Sequence, residues 1–177
     1  NLAVYVYTAM LSRNLLVTDL GILVRFGQVN FLVLRGCWWQ LLTSIFIHIN
    51  LLHLTFNIIF LFIYGSKAEE TLGKTAYITT YLLSGLVGNV LTLIFMGLNS
   101  LNVSAGASGA LFGVLGAYMA YLGLRYDASI TPYIIYCLLL LILNISVNVN
   151  LIAHSGGLLS GLVAGYLTAK MRNLNRD

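Results

Sequence analysis

The sequence predicts an all-α membrane protein whose single domain, residues 1–177, is a bundle of six transmembrane helices. Hydrophobic residues make up 59% of the chain and charged residues only 8%, and the mean hydropathy is +0.91. A water-soluble domain of this length needs more polar side chains to cover its surface. The third observation is the spacing of glycines and charged residues, which divides the chain into stretches long enough to cross a bilayer.

Each apolar stretch is interpreted as one helix, because a span needs about 20 mostly apolar residues. The first stretch is short and begins at Asn1 without a methionine, so we expect a span truncated at its N-terminus. The segment 12–38 mixes charged and apolar side chains, which is typical of a loop lying partly in the membrane interface. The six stretches are approximately 1–16, 39–65, 75–97, 106–125, 130–147 and 151–171.

The basic residues predict the orientation in the membrane. Six of them fall on one side of the predicted spans and three on the other, which places the C-terminus in the cytoplasm and, with six spans, the N-terminus too. We therefore expect a multi-pass protein of a prokaryotic plasma membrane, and we attribute the net charge of +4 to topology and not to nucleic acid binding. The two groups are Lys67, Lys74, Arg125, Lys170, Arg172 and Arg176 inside, and Arg13, Arg25 and Arg35 outside.

A serine and two histidines share the predicted outer side. Ser108 begins the fourth stretch, His154 begins the sixth, and His53 lies in the second, so the three side chains can meet. His53 and Asn57 are four positions apart and project from one helix face. Polar groups at this depth face a cavity or one another, because lipid cannot hydrogen-bond to them. His48, five positions from His53, is expected to point elsewhere and has no assigned role.

Three motifs resemble those of the rhomboid proteases, a family of intramembrane serine proteases with a six-helix core. By this resemblance Ser108 is the nucleophile and His154 is the general base. His53 and Asn57, with the backbone N–H of the serine, stabilise the oxyanion. The helix at 130–147 is the family's gate for the substrate. The motifs are residues 53–57 (HLTFN), residues 106–109 (GASG), and residues 153–157 (AHSGG) followed by Gly161 and Gly165.

Neighbouring residues support this interpretation. Phe112 follows Ser108 by one helical turn, so its ring can lie against His154, where related enzymes often have tyrosine. Small residues recurring every four positions let two helices approach closely and bring the serine to the histidine. These glycines are Gly109 and Gly113 in one stretch, and Gly157, Gly161 and Gly165 in the other. No acidic residue falls in the predicted membrane interior, which favours a dyad over a triad and disfavours an aspartyl mechanism.

Other features depart from the family pattern or point to no chemistry. Gln40 stands where the rhomboid pattern often has an arginine, which puts the anchoring of the preceding loop in doubt. Cys37 and Cys137 have no metal-type spacing and are expected to be free thiols. No His-Glu-x-x-His string is present, so we expect neither a metal site nor a cofactor.

The sequence leaves alternatives open. A catalytically inactive rhomboid-like protein that acts in binding or quality control is the principal one, and the retained Ser108 and His154 argue against it. A small transporter is disfavoured, because no charged residue crosses the predicted midplane. The expected partners are transmembrane segments of substrate proteins and the lipid bilayer.

Overall fold

The computed structural model describes residues 1–126, 129, 131–143 and 150–174, which are mostly helical. Part of the stretch expected at 130–147 therefore lies outside the described residues. The elements, in chain order, are α1 (Leu2–Ser12), α2 (Leu20–Phe26), β1 (Gln28–Val29), α3 (Asn30–Val33), α4 (Gln40–Thr43), α5 (Leu51–Phe60), a π-helical turn (Leu61–Gly65), α6 (Ser66–Leu72), α7 (Lys74–Phe95), β2 (Val103–Ser104), α8 (Ser108–Arg125), α9 (Thr131–Leu143) and α10 (Leu151–Leu174).

Three helices within the described residues are long and apolar enough to cross a membrane. They are Leu51–Leu72, which runs without a break through α5, the π-helical turn and α6, then Lys74–Phe95 and Leu151–Arg172. Two further apolar helices, Leu2–Ser12 and Thr131–Leu140, are shorter. The expectation of a helical membrane protein is confirmed, while the count of six spans stays a prediction.

The Leu51–Leu72 helix begins and ends later than the stretch expected at 39–65. It starts at Leu51, because the side chain of Asn50 accepts a hydrogen bond from the N–H of His53 at 2.8 Å and caps the first turn. It ends at Leu72, where Gly73 adopts φ +82°. Hydropathy alone could not place the start, because the preceding segment from α4 onward also contains many apolar residues.

The segment between α1 and α5 folds into short elements that pack against α7. Strand β1 pairs antiparallel with β2, with Gln28 opposite Ser104. The buried side chain of Gln40 accepts from the N–H of Val29 at 2.9 Å and donates to the carbonyl of Val24 at 2.8 Å. In this chain, therefore, an amide holds the loop that the family pattern led us to doubt.

Helix α8 lies at the centre and packs most extensively against α10 and α7. Thirteen of its 18 residues are buried, so most of its surface faces protein. The glycines of α10 face the backbone of α8 so closely that a Cβ atom on Gly157, Gly161 or Gly165 would overlap a carbonyl oxygen of the neighbouring helix. The three oxygens belong to Gly109, Gly113 and Ala117.

The side chain of Arg172, near the C-terminal end of α10, hydrogen-bonds to residues of α6 and α8. Its guanidinium donates to the carbonyl oxygens of Thr71 at 2.7 Å and Leu72 at 2.5 Å, and to the hydroxyl of Tyr121 at 3.2 Å. The carbonyls at a helix C-terminus lack intrahelical partners, and a cation there satisfies them. The last turns of α6 and α10 are thereby held side by side.

Candidate active site

Ser108 and His154 are brought into direct contact at the ends of the two central helices. The hydroxyl oxygen of Ser108 lies 2.6 Å from Nε2 of His154, within hydrogen-bonding distance. Ser108 is the first residue of α8 and His154 lies in the first turn of α10. The approach depends on Gly88 of α7 as well, because a Cβ atom there would lie 2.5 Å from the carbonyl oxygen of Ala153.

The ring of Phe112 stacks on the imidazole of His154, as its spacing from Ser108 led us to expect. The two ring centroids are 4.7 Å apart and the planes are inclined by 29°. Phe112 is itself buried and lies against the ring of Phe60, at a centroid distance of 5.8 Å. Nδ1 of His154 is buried and has no hydrogen-bond partner within the described residues. Among the described residues, therefore, no acidic side chain accepts a hydrogen bond from Nδ1 of this imidazole.

His53 and Asn57 lie on the same side of α5 and line a cavity of about 1060 Å³ together with Ser108 and His154. Asn57 is buried; its Nδ2 donates to the carbonyl of His53 at 2.8 Å, and its Oδ1 has no partner among the described residues. Gly106 lies directly against the His53 ring, since a Cβ atom on it would come within 2.6 Å of Cε1. Four polar side chains therefore face one space.

His48 is not among the residues that line the cavity, although its ring contacts that of His53. Its side chain is fully buried, and its ring lies edge-on to that of His53 at a centroid distance of 5.3 Å. Nδ1 of His48 is 3.2 Å from the carbonyl oxygen of Phe46. Helical spacing does not apply to His48, because this residue precedes α5, which begins only at Leu51. Asn50, a capping residue type, was the signal that could have shown this.

Sequence reasoning also missed the contacts that hold the segment before Ser108. The N–H of Gly106 donates to the carbonyl of Ser44 at 2.9 Å. Asn89 of α7 in turn donates to the hydroxyl of Ser44 at 2.9 Å and to the carbonyl of Leu41 at 2.8 Å. A polar amide in the middle of an apolar span was the available signal, because such groups face protein and seek partners.

The described residues contain no cluster of three or more histidine, cysteine or acidic side chains that could hold a metal ion. Cys37 and Cys137 are both free thiols, as expected. What the arrangement offers chemically is a hydroxyl beside an imidazole, with polar donors across the same cavity. Such groups can transfer a proton from the serine to the histidine.

The fold and the site define a helical integral membrane protein that holds a serine–histidine pair in a cavity between its helices. The sequence model of the Rhomboid domain matches residues 35–171. The chain belongs to the rhomboid family, which confirms the resemblance drawn from the motifs.

Individual relatives agree with this assignment. The chain is 31% identical to the Putative rhomboid protease YdcA of Bacillus subtilis (strain 168), over 81% of this chain and 73% of that protein. It is 35% identical to the Rhomboid protease GluP of the same organism, over 83% and 29% of the two chains. It is 33% identical to the Rhomboid-like protease 1 of Toxoplasma gondii, over 96% and 61%. The chain thus spans less than two thirds of the last two relatives.

Proposed function

We propose that this chain is an intramembrane serine endopeptidase that cleaves transmembrane segments of other membrane proteins. The observation that carries the proposal is the 2.6 Å contact between the Ser108 hydroxyl and Nε2 of His154. A serine hydroxyl is a poor nucleophile until a neighbouring base removes its proton. Membership of a family whose members bear the name protease supports the same reaction.

In the proposed mechanism Ser108 Oγ attacks the carbonyl carbon of the scissile amide while its proton passes to Nε2 of His154. The tetrahedral intermediate collapses when His154 returns that proton to the leaving amine, which breaks the C–N bond and leaves an acyl ester on Ser108. Water then attacks the ester, with His154 again as the base, and releases the new carboxylate. Such positioned acid–base catalysis contributes about 10²- to 10⁴-fold in rate.

The negative charge on the carbonyl oxygen needs fixed donors. The amides of the first turn of α8 have no intrahelical acceptor, so the N–H of Ser108 is available beside the positive end of the helix dipole. His53 and Asn57 face the same cavity and supply the other hydrogen-bond donors to the oxyanion. Loss of one such donor costs about 10²- to 10³-fold in kcat in other serine proteases.

The substrate is a membrane helix, so it enters the site sideways and partly unwinds to expose an amide. We assign the entry of substrate to the side covered by α9, and the entry of water to the side on which the loop segment, residues 12–38, lies. We also propose that the protein resides in a prokaryotic plasma membrane with both termini in the cytoplasm, in accord with the excess of basic residues at that end.

Purified protein incubated with a single-span substrate tests the reaction. We expect Ser108→Ala and His154→Ala each to lower kcat by at least about 10³-fold, since a dyad acts as a unit. A fluorophosphonate probe should label the wild type and not Ser108→Ala. Ser160→Ala is the matched control, because its hydroxyl bonds only to the carbonyl of Gly157 within the described chain and leaves the site untouched.

Equal cleavage by wild type, Ser108→Ala and His154→Ala would remove the protease assignment. A wild-type protein that neither cleaves nor takes up the probe, while remaining folded, would favour the inactive binding protein instead.

A further inference from the structure

Asn150, the residue immediately before α10, connects three elements around the candidate site through its side chain. Its Nδ2 donates to the hydroxyl of Thr92 at 2.9 Å and to the hydroxyl of Ser104 at 2.8 Å. Its Oδ1 accepts from the N–H of Ala153 at 3.0 Å. Thr92 belongs to α7, and Ser104 belongs to β2, four residues before Ser108. One amide therefore joins the helix of the base to the segment that leads into the nucleophile.

The backbone of Asn150 holds the base as well. Its carbonyl accepts from the N–H of His154 at 3.1 Å, while its side chain caps Ala153. Capping of this kind satisfies amides that have no partner within the helix, and it fixes where the first turn begins. Asn150 thus fixes the position of the His154 backbone through these two hydrogen bonds.

The backbone position matters more here than in a triad. In a serine–histidine–aspartate triad, an acid bonded to Nδ1 holds the imidazole in its orientation. Nδ1 of His154 has no such partner in the described part of the chain. The stacked ring of Phe112 restrains the tilt of the imidazole but allows it to slide in its plane. The Nε2-to-hydroxyl distance then depends on the place at which α10 begins.

We propose that Asn150 is a positioning residue for His154, an inference that rests on the proposed function. By bonding to Ser104 and Thr92, it fixes the first turn of α10 relative to the segment before Ser108 and relative to α7. The amide does not touch the reacting atoms. Its effect is to keep Nε2 of His154 within reach of the serine during turnover.

Two variants separate this bridge from the helix cap. Asn150→Asp keeps an acceptor for the N–H of Ala153 but has no donor for the hydroxyl of Thr92, whose own proton goes to the carbonyl of Gly88 at 2.8 Å. The double variant Thr92→Val with Ser104→Ala keeps Asn150 and removes both acceptors. We expect kcat in each to fall about tenfold to a hundredfold, the effect of displacing a catalytic group by about 1 Å. KM should stay within about twofold, because the amide is proposed to act through the position of His154.

The measurements are kcat and KM on a single-span substrate, the rate of fluorophosphonate labelling, and the melting temperature in detergent. Asn14→Asp is the matched control, because this exposed asparagine accepts bonds from the N–H groups of Leu16 and Val17 and does not line the cavity. Its kcat should equal that of the wild type.

A wild-type kcat in either folded variant would overturn the proposal, and so would a fall in kcat that only follows a smaller folded fraction. If Asn150→Asp fails to fold, the double variant decides. Ser108→Ala is assayed in parallel. Cleavage by that variant would contradict the proposed function, whereas its inactivity beside fully active Asn150→Asp would contradict this inference alone.

Discussion

Gly106 shows how a single backbone conformation shapes the candidate site at the residue scale. It adopts φ +135°, a region that side chains other than hydrogen rarely allow, and it lies against the ring of His53. Its N–H is held by the carbonyl of Ser44 at 2.9 Å, so the segment cannot simply move away. The residue therefore sets both the path of the chain into α8 and the space left for His53.

We predict that Gly106→Ala lowers kcat on a membrane substrate about 10²-fold, because the new Cβ displaces His53 from the cavity. The strained backbone should also lower the free energy of unfolding by about 1–3 kcal/mol. Steady-state kinetics and thermal unfolding in detergent measure the two effects.

The variant Gly97→Ala shows whether backbone strain alone, without a contact to His53, lowers kcat. Gly97 also has a positive φ, +87°, but nothing lies within 4 Å of the position of its Cβ. It should lose stability with little loss of kcat. If both variants lost kcat equally, the contact with His53 would not be the cause.

At the scale of elements, the glycine face of α10 determines how near α8 can come. A methyl group at Gly161 would overlap the carbonyl oxygen of Gly113, and backbone atoms cannot give way as a side chain can. The close approach of α10 to α8 that Gly161 permits also places Ser108 beside His154, one to two helical turns away. Helix packing and site geometry are therefore coupled.

Gly161→Ala should lower the free energy of unfolding by about 1–3 kcal/mol, the usual cost of overpacking, and Gly161→Val by more. Fluorophosphonate labelling should fall in both variants, because α10 is pushed away from α8. Ser160→Ala, on the same helix without such an overlap, should behave as the wild type. Full labelling of Gly161→Val would show that the two helices tolerate separation.

Helix α9 meets the Leu51–Leu72 helix through a contact between two hydroxyl groups. Tyr64, in the π-helical turn, and Tyr136, in α9, are hydrogen-bonded to one another. If α9 covers the entry for substrate, this bond stabilises the closed arrangement. A single hydrogen bond is worth about 0.5–1.5 kcal/mol.

Tyr64→Phe should therefore raise kcat/KM for a single-span substrate about twofold to tenfold. Labelling by a small fluorophosphonate, which does not need a lateral opening, should stay unchanged. Tyr133→Phe removes another hydroxyl from α9, one without a hydrogen bond in the described chain, and serves as the control. An equal or lower kcat/KM in Tyr64→Phe would mean that α9 does not limit entry.

At the scale of the whole molecule, the proposed orientation can be read from cysteine accessibility. Cys37 is partly exposed and lies in the loop segment that we place outside, whereas Cys137 is buried. In intact spheroplasts, a membrane-impermeant maleimide should modify Cys37. A cysteine introduced by Glu70→Cys in a Cys37→Ser background should react only after detergent is added, because α6 ends on the side that we propose to be cytoplasmic. If the cysteine introduced at position 70 reacted in intact spheroplasts and Cys37 did not, the proposed orientation would be wrong.

Much of this arrangement was predictable from the sequence, since composition and the position of charges suffice to indicate a helical membrane protein. The motifs singled out Ser108 and His154, and their spacing from Phe112 and the glycines anticipated the contacts found around them. Helix ends were less predictable, because apolar character continues through the segment before Leu51, where only the cap of Asn50 marks the start.

Hydrogen bonds between distant segments could not be predicted. Gln40 departs from the family pattern and Asn89 is an amide within an apolar span, but the sequence does not show which groups they or Asn150 bond to. The partners lie 11 to 58 residues away along the chain. Which carbonyl or hydroxyl each amide meets depends on tertiary packing that no local pattern encodes. These amides hold the loop segment, the nucleophile segment and α10 in place.

The central position of α8 has a consequence for biosynthesis. The chain emerges from the ribosome N-terminus first, and His154 follows Ser108 by 46 positions. Until α10 is made, α8 lacks the partner that covers its glycine face, and the serine lacks its imidazole. If the proposed function holds, a nascent chain released only as far as residue 150 would thus be chemically inert, and hydrolytic competence would arise only after α10 has been synthesised.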